Sequence, residues 1–397
     1  MVRRLALLCL ALVGCAEAWS PESIVEDLRV IGVRAEPAEL KPGESASLSA
    51  LILDPSRPGK KNTVLWIGCD PDPFNLGRSA CSDPAVLQDP SALASAGTLP
   101  NGVHFIGLDD SATYATRADL FSQLAATDTR RQTGTVGQVL AIAIAEESAG
   151  VPMKELFDRV ARKEVKAVIA LFRIKVSESA TRNTNPVISA FLFDGKPVKP
   201  NVPAMLSAAD KRQVLLEAPD SAFEPYVETT PTAMEDKVER LTSAWYSTSG
   251  RFNNLRVALR SEVKAIFTAP GHPDFPLDKV PDDHTGTFFV VMRDTRGGQT
   301  WLQHPFWICD IATPPADVTA VRSPSAKGEL VVVEGSGLDG ILAVEAGGIG
   351  MIRGAYSPMS GKYEAVVPPT LAAGSYPVTV HRKNCSTVAT GLMLTVP

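Results

Sequence analysis

Short apolar runs that alternate with polar residues and end at tight corners recur along this chain, and they constrain its fold more than any other feature. After the corner Lys41-Pro42-Gly43-Glu44, residues Ala46, Leu48, Ala50 and Ile52 fall on one side of an extended segment. A two-residue period puts alternate side chains on one face and marks a half-buried strand. Residues 28–33 read as the strand before it. Residues 63–67 read as the next, placing Trp66 where a sandwich core takes a large aromatic.

The N-terminus is of another kind. Arg3 and Arg4 precede an apolar run over residues 5–13, the order of a secretory signal. That run is too short to cross a bilayer, which needs roughly 20 apolar residues. Its end, Leu12-Val13-Gly14-Cys15, resembles the lipobox of bacterial lipoproteins. The resemblance implies a signal peptide over 1–14, a lipid on Cys15, a tether over 15–24 and export of everything beyond. Ala16 stands where well-studied lipoproteins held in the inner membrane carry aspartate, so the resemblance implies the outer membrane, facing periplasm or surface. An ordinary cleaved signal with an incidental Cys15 is the competing reading.

Charge supports attachment through lipid alone. Lys plus Arg number 39 against 44 Asp plus Glu, a net −5, with no basic run. Nucleic-acid binding and a polybasic membrane face both need clustered cations, so neither is expected. Acyl chains, at about 0.8 kcal/mol per buried methylene, hold a protein to a bilayer without help from the polypeptide. Of six cysteines, Cys9 lies in the signal and Cys15 at its end. The other four, in an exported chain, imply two disulfides with three possible connectivities. Spacing favours Cys69–Cys81, leaving Cys309–Cys385 to bridge neighbouring units. Zinc competes for four cysteines, but no CxxC pair is present.

Three units are expected, over 25–184, 185–312 and 313–397. In the first, residues 33–50 resemble the opening strands of bacterial Ig-like domains. Two helices interrupt it. One follows Thr116-Arg117-Ala118-Asp119, which resembles a capping box before Leu120, Phe121 and Leu124. The other starts at Pro152, with Met153, Leu156, Phe157 and Val160 as its buried stripe to about Lys163. In the second unit Trp245 sits mid-strand. Val290-Val291-Met292-Arg293-Asp294-Thr295-Arg296-Gly297-Gly298 resembles the last hairpin of PKD-like repeats, in which the aspartate bonds turn amides. The stiff segment Thr313-Pro314-Pro315 leads into the third. There Leu330-Val331-Val332-Val333-Glu334-Gly335-Ser336-Gly337 and Ala373-Gly374-Ser375-Tyr376-Pro377-Val378-Thr379-Val380 resemble an IPT/TIG domain, an Ig-like fold of cell-surface proteins. The fold class expected is mainly β: three Ig-like sandwich units in tandem, the first with helical insertions.

Catalytic signatures are missing. His104, His272, His284, His304 and His381 form no ligand pattern, Gly335-Ser336-Gly337 is not a nucleophile elbow, and no phosphate-binding loop occurs. Asp70, Asp72 and Asp83, and Asp274, Asp278, Asp282 and Asp283, form acidic loops. They read as solvated turns more readily than as calcium ligands. No metal or cofactor is expected. Trp301 and Trp307 are an even number apart, so a regular strand puts both on one face as a candidate ligand surface; core packing and a bulge at Pro305 compete with that reading. The function expected is non-enzymatic binding, adhesion or scaffolding at the cell envelope, with a protein or glycan partner. The alternatives are an enzyme or accessory subunit of extracellular polysaccharide processing, with a cleft in the first unit, and a structural subunit of a secretion or motility machine.

Overall fold

In the computed structural model, residues 21–397 are described except 76–77, 80, 82–100, 110, 148–150, 230–233, 325 and 327. Strands β1 (Arg29–Glu36), β2 (Glu39–Leu40), β3 (Ser45–Leu53), β4 (Thr63–Cys69), β5 (Val103–Leu108), β6 (Ser111–Ala115), β7 (Thr135–Ile144) and β8 (Ala167–Val176) make one sheet. Its order is β1-β3-β6-β5-β4-β7-β8-β2. Since β1 and β2 are consecutive in the chain but end up at opposite edges, the sheet curls round on itself. Ala46, Leu48, Trp66, Tyr114, Val139 and Ile174 fill the interior. Both faces of β7 are covered, so it reads as a nearly unbroken apolar run.

The outer face of β4 and β7 is covered by Leu156 of a helix, α2 (Met153–Ala161), while α1 (Arg130–Thr133) is a single turn. Pro152 immediately precedes α2, as its fixed φ favours. The helix expected after Thr116 does not form. Residues 117–124 make successive turns, Ser122 N–H to Asp119 O among them, with Phe121 and Leu124 buried. The Thr116 hydroxyl is used elsewhere: it accepts from Gly43 N–H and donates to Lys41 O, pinning the Pro-Gly corner. A cap already committed to another loop cannot start a helix.

The second unit holds β9 (Ala190–Phe193), β10 (Lys196–Pro197), β11 (Ala204–Leu206), β12 (Lys211–Glu217), β13 (Pro225–Thr229), β14 (Met234–Val238), β15 (Thr242–Ser247), β16 (Arg251–Phe252), β17 (Arg256–Ala258), β18 (Ala265–Thr268), β19 (Thr285–Arg293) and β20 (Gln299–Ile308). Sheets β10-β9-β12-β18-β16 and β11-β20-β19-β15-β17 face each other, and β13-β14 is a separate hairpin. Trp245, Phe267, Phe288 and Phe306 meet between the sheets. β14 ends at Val238 and β15 begins at Thr242, so Glu239 lies between the two strands. β17 and β18 are likewise separate short strands, in different sheets.

The third unit pairs sheet β21-β22-β26-β25 with sheet β24-β23-β27-β28. Their ranges are β21 (Asp317–Arg322), β22 (Leu330–Ser336), β23 (Ile341–Ala346), β24 (Ile349–Gly350), β25 (Ile352–Ser357), β26 (Lys362–Val366), β27 (Gly374–Arg382) and β28 (Thr387–Val396). Val331, Val333, Val344, Tyr363 and Val380 are its core. Gly337 turns the chain at φ +62°, where a Cβ would sit 2.7 Å from Pro315 O. The protein is therefore a mainly-β, multi-domain chain of Ig-like sandwiches.

Candidate functional site

The units are joined by built contacts. At the first joint, Ile31, Leu51 and Leu53 on the outer face of β1 and β3 pack on Phe289 and Val291 of β19. Fully burying such a side chain is worth roughly 1.5–3 kcal/mol, so a handful of them fixes the two sheets face to face. Residues 21–25 take part as well. Val25 donates its N–H to Ser247 O, Ser247 donates to Ser23 O, and Ser23 and Val25 are buried. Of residues 15–24, expected as a tether, Ser23 and Ile24 belong to the packed body.

A polar cluster of the second unit sits beside the same joint and reaches the connecting segment through Asn183. Arg296, in the β19–β20 turn, bonds Glu239 and Glu224 and lies 5.0 Å from the Tyr226 ring centre. Asp294 accepts from the N–H groups of Arg296 and Gly298, each 2.8 Å, and from Asn183 of the connecting segment. Burial pushes the Glu239 carboxyl up to about 7 and raises Asp294 as well; Glu239 and Glu224 share the Arg296 guanidinium, while Asp294 is held by turn amides and Asn183. At the second joint, Cys309–Cys385 is a disulfide with Cα atoms 5.3 Å apart. Lys199 bonds both oxygens of Glu345 at 2.7 and 2.9 Å, and His381 Nε2 lies 2.6 Å from that carboxylate. Cys69–Cys81 staples the first unit.

Trp301 and Trp307 share a face of β20, with no bulge at Pro305 in the β19–β20 register. Each ring is occupied by a neighbouring unit. Trp301 joins the first-joint cluster, with the Arg34 guanidinium 5.0 Å from its ring centre. Trp307 donates its Nε1–H to Lys383 O at 2.7 Å and stacks on His284. Cys15 and Asp83 lie outside the described residues. The other acidic residues are spread among separate partners: Asp70 beside His104, Asp72 on the Phe74 N–H, Asp278 with Arg251, Asp283 with Thr285. No group of three or more potential metal ligands forms among the described residues. His304 is buried beside Phe191, and desolvation lowers it to about 4, a neutral core histidine.

A cleft of about 590 Å³ opens at the edge of the first unit against the second. Its rim carries Lys61, Asn62, Asp109, Glu147 and Gln303, over a floor of Ala50, Ile52, Val64 and Trp66. The Asp109 turn is held by Trp66 Nε1–H to Asp109 O at 2.9 Å and by Asp109 N–H to Val64 O. No ion pair joins Lys61 to Asp109 or Glu147, so opposite charges line one cleft more than ion-pair distance apart. Sequence reasoning missed this cleft and the Arg296 cluster. Charged residues in turns look solvated in a sequence, and only the chain's return brings these together.

No protein-family model matches the chain, and no curated protein matches it. Among solved structures it is similar to a mixed-linkage glucan utilization locus protein of Bacteroides ovatus, SGBP-B, in complex with a mixed-linkage heptasaccharide. That similarity has 16% identity over 55% of this chain and 48% of that one, with a TM-score of 0.19. This chain thus spans about half the length of that protein. Extracellular domains 3–5 of Drosophila OTK align over 95% of this chain and 99% of theirs, at 16% identity and TM-score 0.17. A bacterial ice-binding adhesin aligns over 94% and 98%, at 10% identity and TM-score 0.18. Superpositions this loose leave function to the chain's own residues.

Proposed function

We propose that this chain is an exported envelope protein, anchored by a lipid on Cys15 to the outer membrane, that acts without catalysis as a stiff binding scaffold. The observation carrying this reading is that both joints are built: an apolar sheet-on-sheet contact at one and a disulfide at the other. Interfaces between units are usually modest and permit relative motion, so fused joints fit a protein that holds a surface in fixed orientation. On this reading the segments 1–14, 25–184, 185–312 and 313–397 are signal peptide, helix-elaborated Ig-like unit, PKD-like unit and IPT/TIG-like unit. Cys15→Ser is expected to abolish lipid labelling and membrane fractionation. Mild crosslinking followed by pull-down, with wild type and Cys15→Ser compared, is expected to recover an envelope partner from the anchored form alone. Palmitate labelling that persists in Cys15→Ser would overturn the anchor.

The polysaccharide-processing alternative has one specific observation behind it, the two carboxylates Asp109 and Glu147 lining one cleft of the first unit. Glycoside hydrolysis needs such a pair about 5–10 Å apart. Oligosaccharide cleavage by the purified protein that is lost in Asp109→Asn would make it an enzyme.

A further inference from the structure

We propose that the cleft beside β3 receives an extended peptide segment of a protein partner, carrying a basic side chain and pairing with β3 as an added strand. The proposal rests on the binding reading above and names the partner's chemistry. β3 runs from Ser45 to Leu53, but β6 pairs with it only from Ser45 to Leu48. Thr116 N–H bonds Glu44 O on the β6 side. Successive residues of a strand aim their amides to opposite sides, so Ala46, Leu48, Ala50 and Ile52 present N–H and C=O on that side too. The bulge in the β1–β3 pair lies between Val30 and Gly32, so β3 keeps its parity throughout.

Beyond Leu48 this edge has no backbone partner among the described residues, and Ala50 and Ile52 line the cleft. An unpaired strand edge is a template for another strand, and adding one is a recurrent mode of peptide recognition. At about 3.3 Å per residue, the five residues from Ser49 to Leu53 would pair with an equally short segment, about 17 Å long. The cleft volume, about 590 Å³, lies within the range of ligand sites. Side chains supply the charge: the Asp109 and Glu147 carboxylates have no protein partner among the described residues, against the single ammonium of Lys61. A lysine or arginine in the incoming segment would answer that imbalance, which a neutral saccharide would not.

The test pans a phage-displayed library of random octapeptides on the full mature chain, then measures the selected synthetic peptide by fluorescence anisotropy. The expected peptide contains Lys or Arg and loses affinity tenfold or more when alternate amides are N-methylated, a change that leaves the protein untouched. Ala50→Pro removes an N–H that faces the cleft rather than β1, as an edge position tolerates. It is expected to weaken binding at least tenfold with an unaltered circular dichroism spectrum. Asp109→Asn with Glu147→Gln is expected to do the same. No peptide above background overturns the proposal, as does a peptide indifferent to N-methylation in both registers. Cellohexaose or chitohexaose binding in calorimetry that survives Ala50→Pro but is lost in Asp109→Asn with Glu147→Gln would make the cleft a glycan site and equally overturn it. Failure here leaves lipid labelling at Cys15 and the scaffold reading standing, whereas failure of the Cys15→Ser experiment leaves the peptide measurement standing.

Discussion

Glu239→Gln is expected to stabilise the protein at pH 8 and to have a much smaller effect at pH 5. Glu239 is 3% exposed and pairs with Arg296, which also serves Glu224 while Asp294 lies close by. Desolvation dominates and raises the carboxyl from 4.5 to about 7. A carboxyl raised in the folded state holds a proton that the unfolded chain would release. Its stabilising contribution is therefore complete below pH 4.5 and is lost as pH rises through about 7. The full interval corresponds to about 3 kcal/mol, and relaxation of the cluster brings the expected difference to about 1–3 kcal/mol. The amide keeps a hydrogen bond to Arg296 without the charge. Urea unfolding followed by tryptophan fluorescence at pH 5, 6.5 and 8 measures it, since Trp245 and Trp301 sit in this unit. A variant less stable than wild type at pH 8 would refute the reasoning, because the ion pair would then outweigh desolvation. A difference that does not change with pH would refute it too.

Other outcomes follow from the joints. Cys309→Ser with Cys385→Ser removes a link across a sequence separation of 76, worth about 4 kcal/mol by chain entropy, and should make the third unit the first to be cleaved in limited proteolysis. An unchanged order of cleavage would count against a stapled joint. Leu51→Ala should cost about 2–5 kcal/mol by urea midpoint, since Leu51 is 4% exposed at the contact with the second unit. Gly350→Ala should cost about 1–3 kcal/mol, because the new methyl would sit 2.7 Å from Asn201 O across the second joint; a neutral change in melting temperature would show that the joint yields.

Features local to a strand or a turn were legible in the sequence. Trp66 and Trp245 are core residues, each 1% exposed or less, as their place in apolar strands implied. Asp294 bonds its own turn amides, as the Asp-Thr-Arg-Gly-Gly motif implied. Cys69–Cys81 was legible from its spacing, and Cys309–Cys385 as the pair it leaves. Features arising between units were not. Ala46 and Leu48 signalled one buried face of β3, yet Leu51 and Leu53 bury the other against the second unit. The run Ala50-Leu51-Ile52-Leu53 was the available sign, because an unbroken apolar strand end means cover on both sides. Trp301 and Trp307 were ambiguous for the same reason, since aromatics on an outward face fit a ligand or a neighbouring unit equally well.

The joints also change what the N-terminal anchor would do. Modules strung from one end would leave the first unit nearest the membrane and the others free to swing. Instead residues 21–25 are bonded to Ser247 of β15, so an anchor upstream of them would attach at the first joint rather than at the tip of a unit. With a lipid on Cys15, the six steps to Pro21 reach at most about 20 Å. The membrane surface would then lie close to both the first and second units. A short leash on a stiff body restricts the orientations open to the cleft beside β3, whose rim draws Gln303 from the second unit across that same joint. Loosening the joint and lengthening the leash are therefore separable perturbations. Leu51→Ala would act on the shape of the cleft, whereas a glycine-serine insertion after Ala16 would act only on its height above the bilayer.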